Sequence, residues 1–178
     1  MLAVLERRRR DPVVMPALRE NNIIGVLENV ISGRRRRFYG RNLVTNDGDQ
    51  YYAEAITASG TILTVAGMNL GSSAVAPAKG DLNVGSIIAN GSVAIDSGYP
   101  RANDADADNT GAGVKVVTWR STFGTGIANA SGIQEVAVCD TLGTGAGQNS
   151  VSRGTLASFT KTSSDTLKLF VNHSVNGI

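Results

Sequence analysis

The chain has 178 residues, of which 42% are hydrophobic, 18% charged and 5% aromatic, and its formal net charge is +2. That length makes one domain able to bury roughly two-thirds of its unfolded surface, and no apolar run approaches the roughly 20 residues of a membrane-spanning helix. A single cysteine, Cys139, excludes an intrachain disulfide or a thiolate zinc site.

Charge divides the chain. Residues 1–41 hold ten arginines against four acids, a net of +6, whereas residues 42–178 carry a net of −4 and most of the 21 glycines. This asymmetry predicts an extended basic arm over 1–41 joined to a globular body over 42–178. Met1–Leu5 is apolar but is followed by Glu6 and Arg7–Arg10, the reverse of a secretory signal. The N-x-S triplets at Asn90, Asn129 and Asn172 are therefore read as chance matches.

Within the arm, Ile23, Ile24, Leu27, Val30 and Ile31 recur at helical spacing, with Asn22 before them and Gly33 after. The pattern predicts a short amphipathic helix over about 22–32, weakened by Gly25 at a cost of roughly 1 kcal/mol. Arginine clusters at Arg7, Arg8, Arg9 and Arg10 and at Arg34, Arg35, Arg36 and Arg37 bracket it. Eight guanidinium groups need water or acidic partners, because each desolvated charge costs several kcal/mol. An acidic protein surface suits them best, solvation by water alone comes second and a nucleic-acid backbone third. The arm lacks the interleaved aromatics of a base-stacking groove. Ile23, Leu27 and Val30, with the two arginine clusters, are the candidate partner-binding residues.

A second helix is expected from Asn46-Asp47-Gly48-Asp49-Gln50, which supplies a cap and first-turn acids, to Ser59-Gly60. Beyond it the period changes to two. Short strands are expected at Ile62–Ala66, Ile87–Ile95, Val114–Phe123, Ile133–Asp140, Val151–Phe159 and Thr166–Val175, with a small-residue loop over Gly71–Gly80. Strands separated by Gly, Ser, Asn and Asp turns predict a mainly β fold, an antiparallel β-sandwich or jelly-roll-like body with one short helix. Its few aromatics imply a thin core, which argues for a homo-oligomer.

The chemical candidates are sparse. His173, the one histidine, falls on the apolar side of the last strand and reads as a packed or interface residue. Cys139 reads as buried and inert. Asp104, Asp106 and Asp108 alternate ahead of Asn109 and Gly111, the most metal-like feature of the chain. They do not follow EF-hand spacing, since Asn109 stands at the sixth position and Lys115 at the twelfth, so they read first as a solvated loop. Gly143-Thr-Gly145-Ala-Gly147 has no helix after it to cradle a phosphate. No catalytic residue and no cofactor is assigned.

Several blocks taken in order carry a family resemblance. They are Asn42–Gly48; Met68–Gly71 with Ala76-Pro77 and Asp81-Leu82; Tyr99-Pro100 leading through the aspartate loop to Val116–Arg120; Ile133-Gln-Glu135; and Thr160–Leu167. This arrangement resembles a group of tailed-bacteriophage virion proteins, over roughly residues 42–176. It departs from their commoner pattern at Val138-Cys139-Asp140, where they carry a glycine and a leucine. The resemblance implies a non-catalytic, β-rich structural subunit of the virion, assembled in the host cytoplasm and used repeatedly. A capsid decoration or cement protein is the leading expectation, and a tail, baseplate or fibre component the alternative. The implied partners are the major capsid protein or other virion subunits and further copies of the chain, a trimer being favoured. No membrane partner is implied.

Overall fold

A computed structural model of the chain describes residues 21–57, 63–102, 116–144 and 148–175. Strands β1 (Asn22–Asn29) and β2 (Arg35–Val44) precede helix α1 (Asn46–Thr57). Seven strands follow: β3 (Gly67–Gly71), β4 (Ile87–Ala94), β5 (Arg101–Ala102), β6 (Val116–Phe123), β7 (Ala130–Cys139), β8 (Ser150–Lys161) and β9 (Asp165–Ser174). All belong to one antiparallel sheet of order β4-β3-β7-β8-β2-β1-β9-β6-β5. It is mainly β, as expected, but the strands form a single sheet curled into a half-barrel where two packed layers were anticipated.

Residues 22–41 depart most from expectation. The helix expected over 22–32 is strand β1, hydrogen-bonded to β2 on one side and to β9 on the other. Ile23 and Leu27 point into the core, while Ile24 and Val26 point outward against Phe170. A residue set spaced for one helical face thus serves two faces of a strand. Ladder bonds to two neighbours and the β-branched Ile23, Ile24 and Val26 outweigh helical spacing in a segment that Gly25 already disfavours as a helix. Gly25 has a use here: a Cβ would press on Leu169 at 3.2 Å and Phe38 at 3.4 Å. Because β2 runs unbroken through position 41, residues 22–41 are the middle of the sheet and not an arm. Residues 1–20, with Arg7–Arg10, lie outside the described residues.

Helix α1 forms where expected, capped one residue earlier. The Thr45 carbonyl accepts from Asp49 N at 2.9 Å and its hydroxyl accepts from Gly48 N at 3.1 Å. A Cβ on Gly48 would strike the Val151 carbonyl, so glycine lets the helix sit directly on β8. The strand expected at 62–66 is displaced to Gly67–Gly71, which pairs with both β4 and β7. The remaining strands lie within a few residues of their expected limits.

Curling brings the chain after β4 back to β6. Asp96 N donates to the Arg120 carbonyl at 2.9 Å. The Asp96 carboxylate accepts from Arg120 Nε at 2.6 Å, Thr122 N at 3.0 Å and Thr122 Oγ1 at 2.7 Å. The core fills the concave side, with Ile23, Met68, Leu70, Phe123, Leu167 and Leu169 all buried.

Candidate docking surface

His173 and Cys139, two of the residues singled out for chemistry, are built into the scaffold. His173 is buried and brings together α1, β6, β8 and β9. Its Nδ1 lies 2.5 Å from Tyr52 Oη and 3.2 Å from Trp119 Nε1, and its Nε2 lies 2.7 Å from Ser152 Oγ. Indole N–H only donates, and burial raises the Tyr52 phenol so that it keeps its proton. Both groups therefore place Nδ1 in the accepting role, which leaves Nε2–H donating to Ser152. Activation of a serine requires the opposite polarity, with Nε2 accepting the hydroxyl proton. Burial also lowers the His173 pKa to about 3, so the imidazole is neutral and ties the helix to the sheet.

A second cluster joins Glu135 and Asp81 through Arg153. Glu135, wholly buried on β7, accepts from Arg153 Nε at 2.8 Å and from the amides of Gly85 at 2.7 Å, Ser73 at 3.0 Å and Ser86 at 3.3 Å. Arg153 reaches on to Asp81 at 2.7 Å and to the Val75 carbonyl at 3.0 Å. Burial opposes the Asp81 charge, but the Ala78 amide and Arg153 outweigh it and hold that carboxyl below its ordinary value. These bonds fasten residues 72–86 across the outward side of β7 and β8.

Cys139 is buried beneath the same loop, its Sγ 3.4 Å from Asn83 Oδ1. Burial, then the nearby Asp140 charge, push the thiol up to about 12, so it is held as the neutral thiol. Gly143 N donates to Asn69 Oδ1 at 3.1 Å, which makes the start of the glycine-rich stretch part of an amide network. Residues 145–147 and the candidate metal ligands Asp104, Asp106 and Asp108 lie outside the described residues.

What remains at the surface is charge sorted by strand alternation. Along β2, Arg35, Arg37, Tyr39 and Arg41 share the outward side and are exposed, while Phe38 turns inward. Arg36 takes the inward parity at the rim, its guanidinium 5.2 Å from the Phe38 ring centroid. Across the sheet, Val26 pairs with Arg37 on one side and Lys168 on the other. Those two cations therefore stand about 10 Å apart at backbone level. Arg35, Arg37, Lys168, Val26, Glu28 and Phe170 line a shallow cleft of about 210 Å³. Glu28 pairs with Arg35 at 2.8 Å.

Of the expected partner-binding residues, Arg35 and Arg37 lie on this face, Arg34 and Arg36 beside it at the hairpin end, and Val30 is exposed in the turn. Ile23 and Leu27 are 0% and 6% exposed, so they pack the core and are not contacts for a partner. Arg41, Tyr39 and Lys168 were missed. The alternation Arg35-x-Arg37-x-Tyr39-x-Arg41 is visible in the sequence, but the tetra-arginine run hides it when that segment is taken as an arm. An exposed row of guanidinium groups on a rigid strand suits forked hydrogen bonds to carboxylates or phosphates. Comparisons with protein-family models, with curated proteins and with solved structures found no match to this chain.

Proposed function

We propose that the protein is a structural subunit of a phage particle, working by adhesion and not by catalysis. Its outward β2 face docks on the acidic surface of neighbouring virion subunits, as a decoration or cement protein on a shell would. The observation that carries this reading is the alternation that puts Arg35, Arg37 and Arg41 on one exposed side of a central strand, with Lys168 two strands away. Backbone ladders fix the spacing of the row, so binding has to order the side chains but not the strand that carries them. Tyr39 is the one exposed aromatic in the row, which favours carboxylates over stacked bases as partners.

The test is binding to particles assembled without the protein. Reversing two charges, Arg37→Glu with Lys168→Glu, should weaken association by about tenfold or more. The far-UV circular dichroism should stay unchanged, since both side chains are exposed. Undiminished binding by the reversed protein would remove this face from the docking reaction. Labelling of bound protein in micrographs separates a shell-wide location from one at the tail.

A further inference from the structure

The two ends of the half-barrel carry opposite and complementary surfaces. At one end the β1–β2 turn projects Val30 and Ile31, which are 56% and 82% exposed. The turn is braced. Gly33, at φ 65°, donates to the Asn29 carbonyl at 2.8 Å, and Asn29 N donates to the Arg34 carbonyl at 2.9 Å. The Asn29 carboxamide accepts from Ser32 N and Ser32 Oγ, each at 3.0 Å, and Val30 N donates to the Ser164 carbonyl at 2.9 Å. The apolar pair is thus held outward by its own backbone.

Beside it, Arg34 and Arg36 line a cleft of about 460 Å³ with Leu27, Thr160 and Thr162. The acid in that cleft, Asp165, is already engaged by Asn29 Nδ2 at 2.9 Å, Thr162 N at 2.8 Å and Thr162 Oγ1 at 2.7 Å. Neither Arg34 nor Arg36 has an ion-pair partner among the described residues.

The other end, roughly 30 Å away along the ten-residue β2, is roofed by α1. There Asp47, Gln50, Tyr51, Glu54 and Leu63 line a cleft of about 230 Å³. Ile56, 75% exposed, stands on the same helix. Asp49 is paired with Lys79 at 2.5 Å, but neither Asp47 nor Glu54 has an ion-pair partner among the described residues. An acidic, partly apolar notch at one end thus matches a basic, apolar finger at the other.

We infer that copies of this chain associate head to tail, the Val30-Ile31 finger of one seating in the α1 cleft of the next. Arg34 and Arg36 then meet Asp47 and Glu54. The two contacting patches differ, so the contact is heterologous and generates a ring or a filament according to the rotation between copies. The finger supplies apolar burial, and the paired charges set orientation. This contact leaves the outward β2 row uncovered and stands independently of the particle-docking reading.

Sedimentation velocity of the full chain over a range of concentrations tests the inference. The wild type should form larger species as concentration rises and dissociate at high salt. Arg34→Glu with Arg36→Glu, and separately Asp47→Lys with Glu54→Lys, should each weaken association by more than about tenfold. An equimolar mixture of the two reversed proteins should associate again, since each acidic patch then meets a basic one. That rescue also shows both variants to be folded. Ile31→Ser, a change at an exposed position, should weaken assembly at every salt concentration. A wild type that stays monomeric throughout, reversed variants that assemble unchanged, or a mixture that does not recover would each overturn the inference. So would a monomeric chain whose finger binds anionic phospholipid vesicles, which would assign the finger to a lipid surface. Binding of Arg37→Glu with Lys168→Glu to particles is read separately, so failure of one proposal does not mimic failure of the other.

Discussion

His173 shows how a single side chain sets the pH range of a fold. Burial holds its folded pKa near about 3, whereas the unfolded value is 6.5. Between those limits the unfolded chain binds a proton that the folded chain refuses, so stability is full above pH 6.5 and falls as pH drops through the window. At about 1.4 kcal/mol per pH unit, acidification to pH 4.5 removes up to about 3 kcal/mol. The carboxyls of Asp81 and Asp165 are held below their ordinary 3.8, so their loss begins only nearer pH 4. Denaturant midpoints measured from pH 7 to 4.5 should decline steadily in the wild type. His173→Gln should be less stable at pH 7 yet nearly flat across that range. A wild-type profile without slope would mean that the imidazole takes up its proton in place. Asn42 is the opposite case: its buried amide has no hydrogen-bond partner among the described residues, and nothing in the structure accounts for that cost.

Among elements, the junction of β4 with β6 is tied by Ser121 Oγ donating to the Ala94 carbonyl at 3.0 Å and, just past β4, by the Asp96 carboxylate. Asp96 accepts three hydrogen bonds, from Arg120 and Thr122, and its own amide bonds the Arg120 carbonyl. Asp96→Ala should cost about 2–3 kcal/mol, the range for a charged group whose partners are left half-buried. Amide hydrogen exchange in β4 and β6 should accelerate ahead of that in β1 and β9. Equal acceleration everywhere would mean that Asp96 contributes to global stability without holding the seam. Element identity was legible wherever periodicity and neighbours agreed. In β9, Leu167, Leu169, Val171 and His173 alternate to the core as their parity predicts. In β1 the two disagreed, because Ile23, Ile24 and Leu27 satisfy a helical template equally well. Only pairing with β2 and β9 breaks that tie.

For the whole molecule, the position of residues 22–41 matters more than their charge. Deleting residues 1–37 removes β1 and the start of β2, leaving β9 and β8 without their central neighbours. Such a truncation should lose the cooperative thermal transition expected of the full chain. A truncated protein that melts cooperatively would return residues 22–37 to the status of an appendage. The sequence alone determined the β class, the place of α1, the buried roles of His173 and Cys139, and the excess of positive charge before residue 42. Those features follow from local periodicity, capping chemistry and composition, which neighbours in the chain are enough to define. Tertiary structure decided that the arginine-rich segment is a central hairpin, that strand parity divides its charges between two faces, and that the strands make one curled sheet. Each of those outcomes depends on which distant strand supplies the hydrogen bonds, a choice made by long-range pairing that the spacing of residues within a segment does not encode.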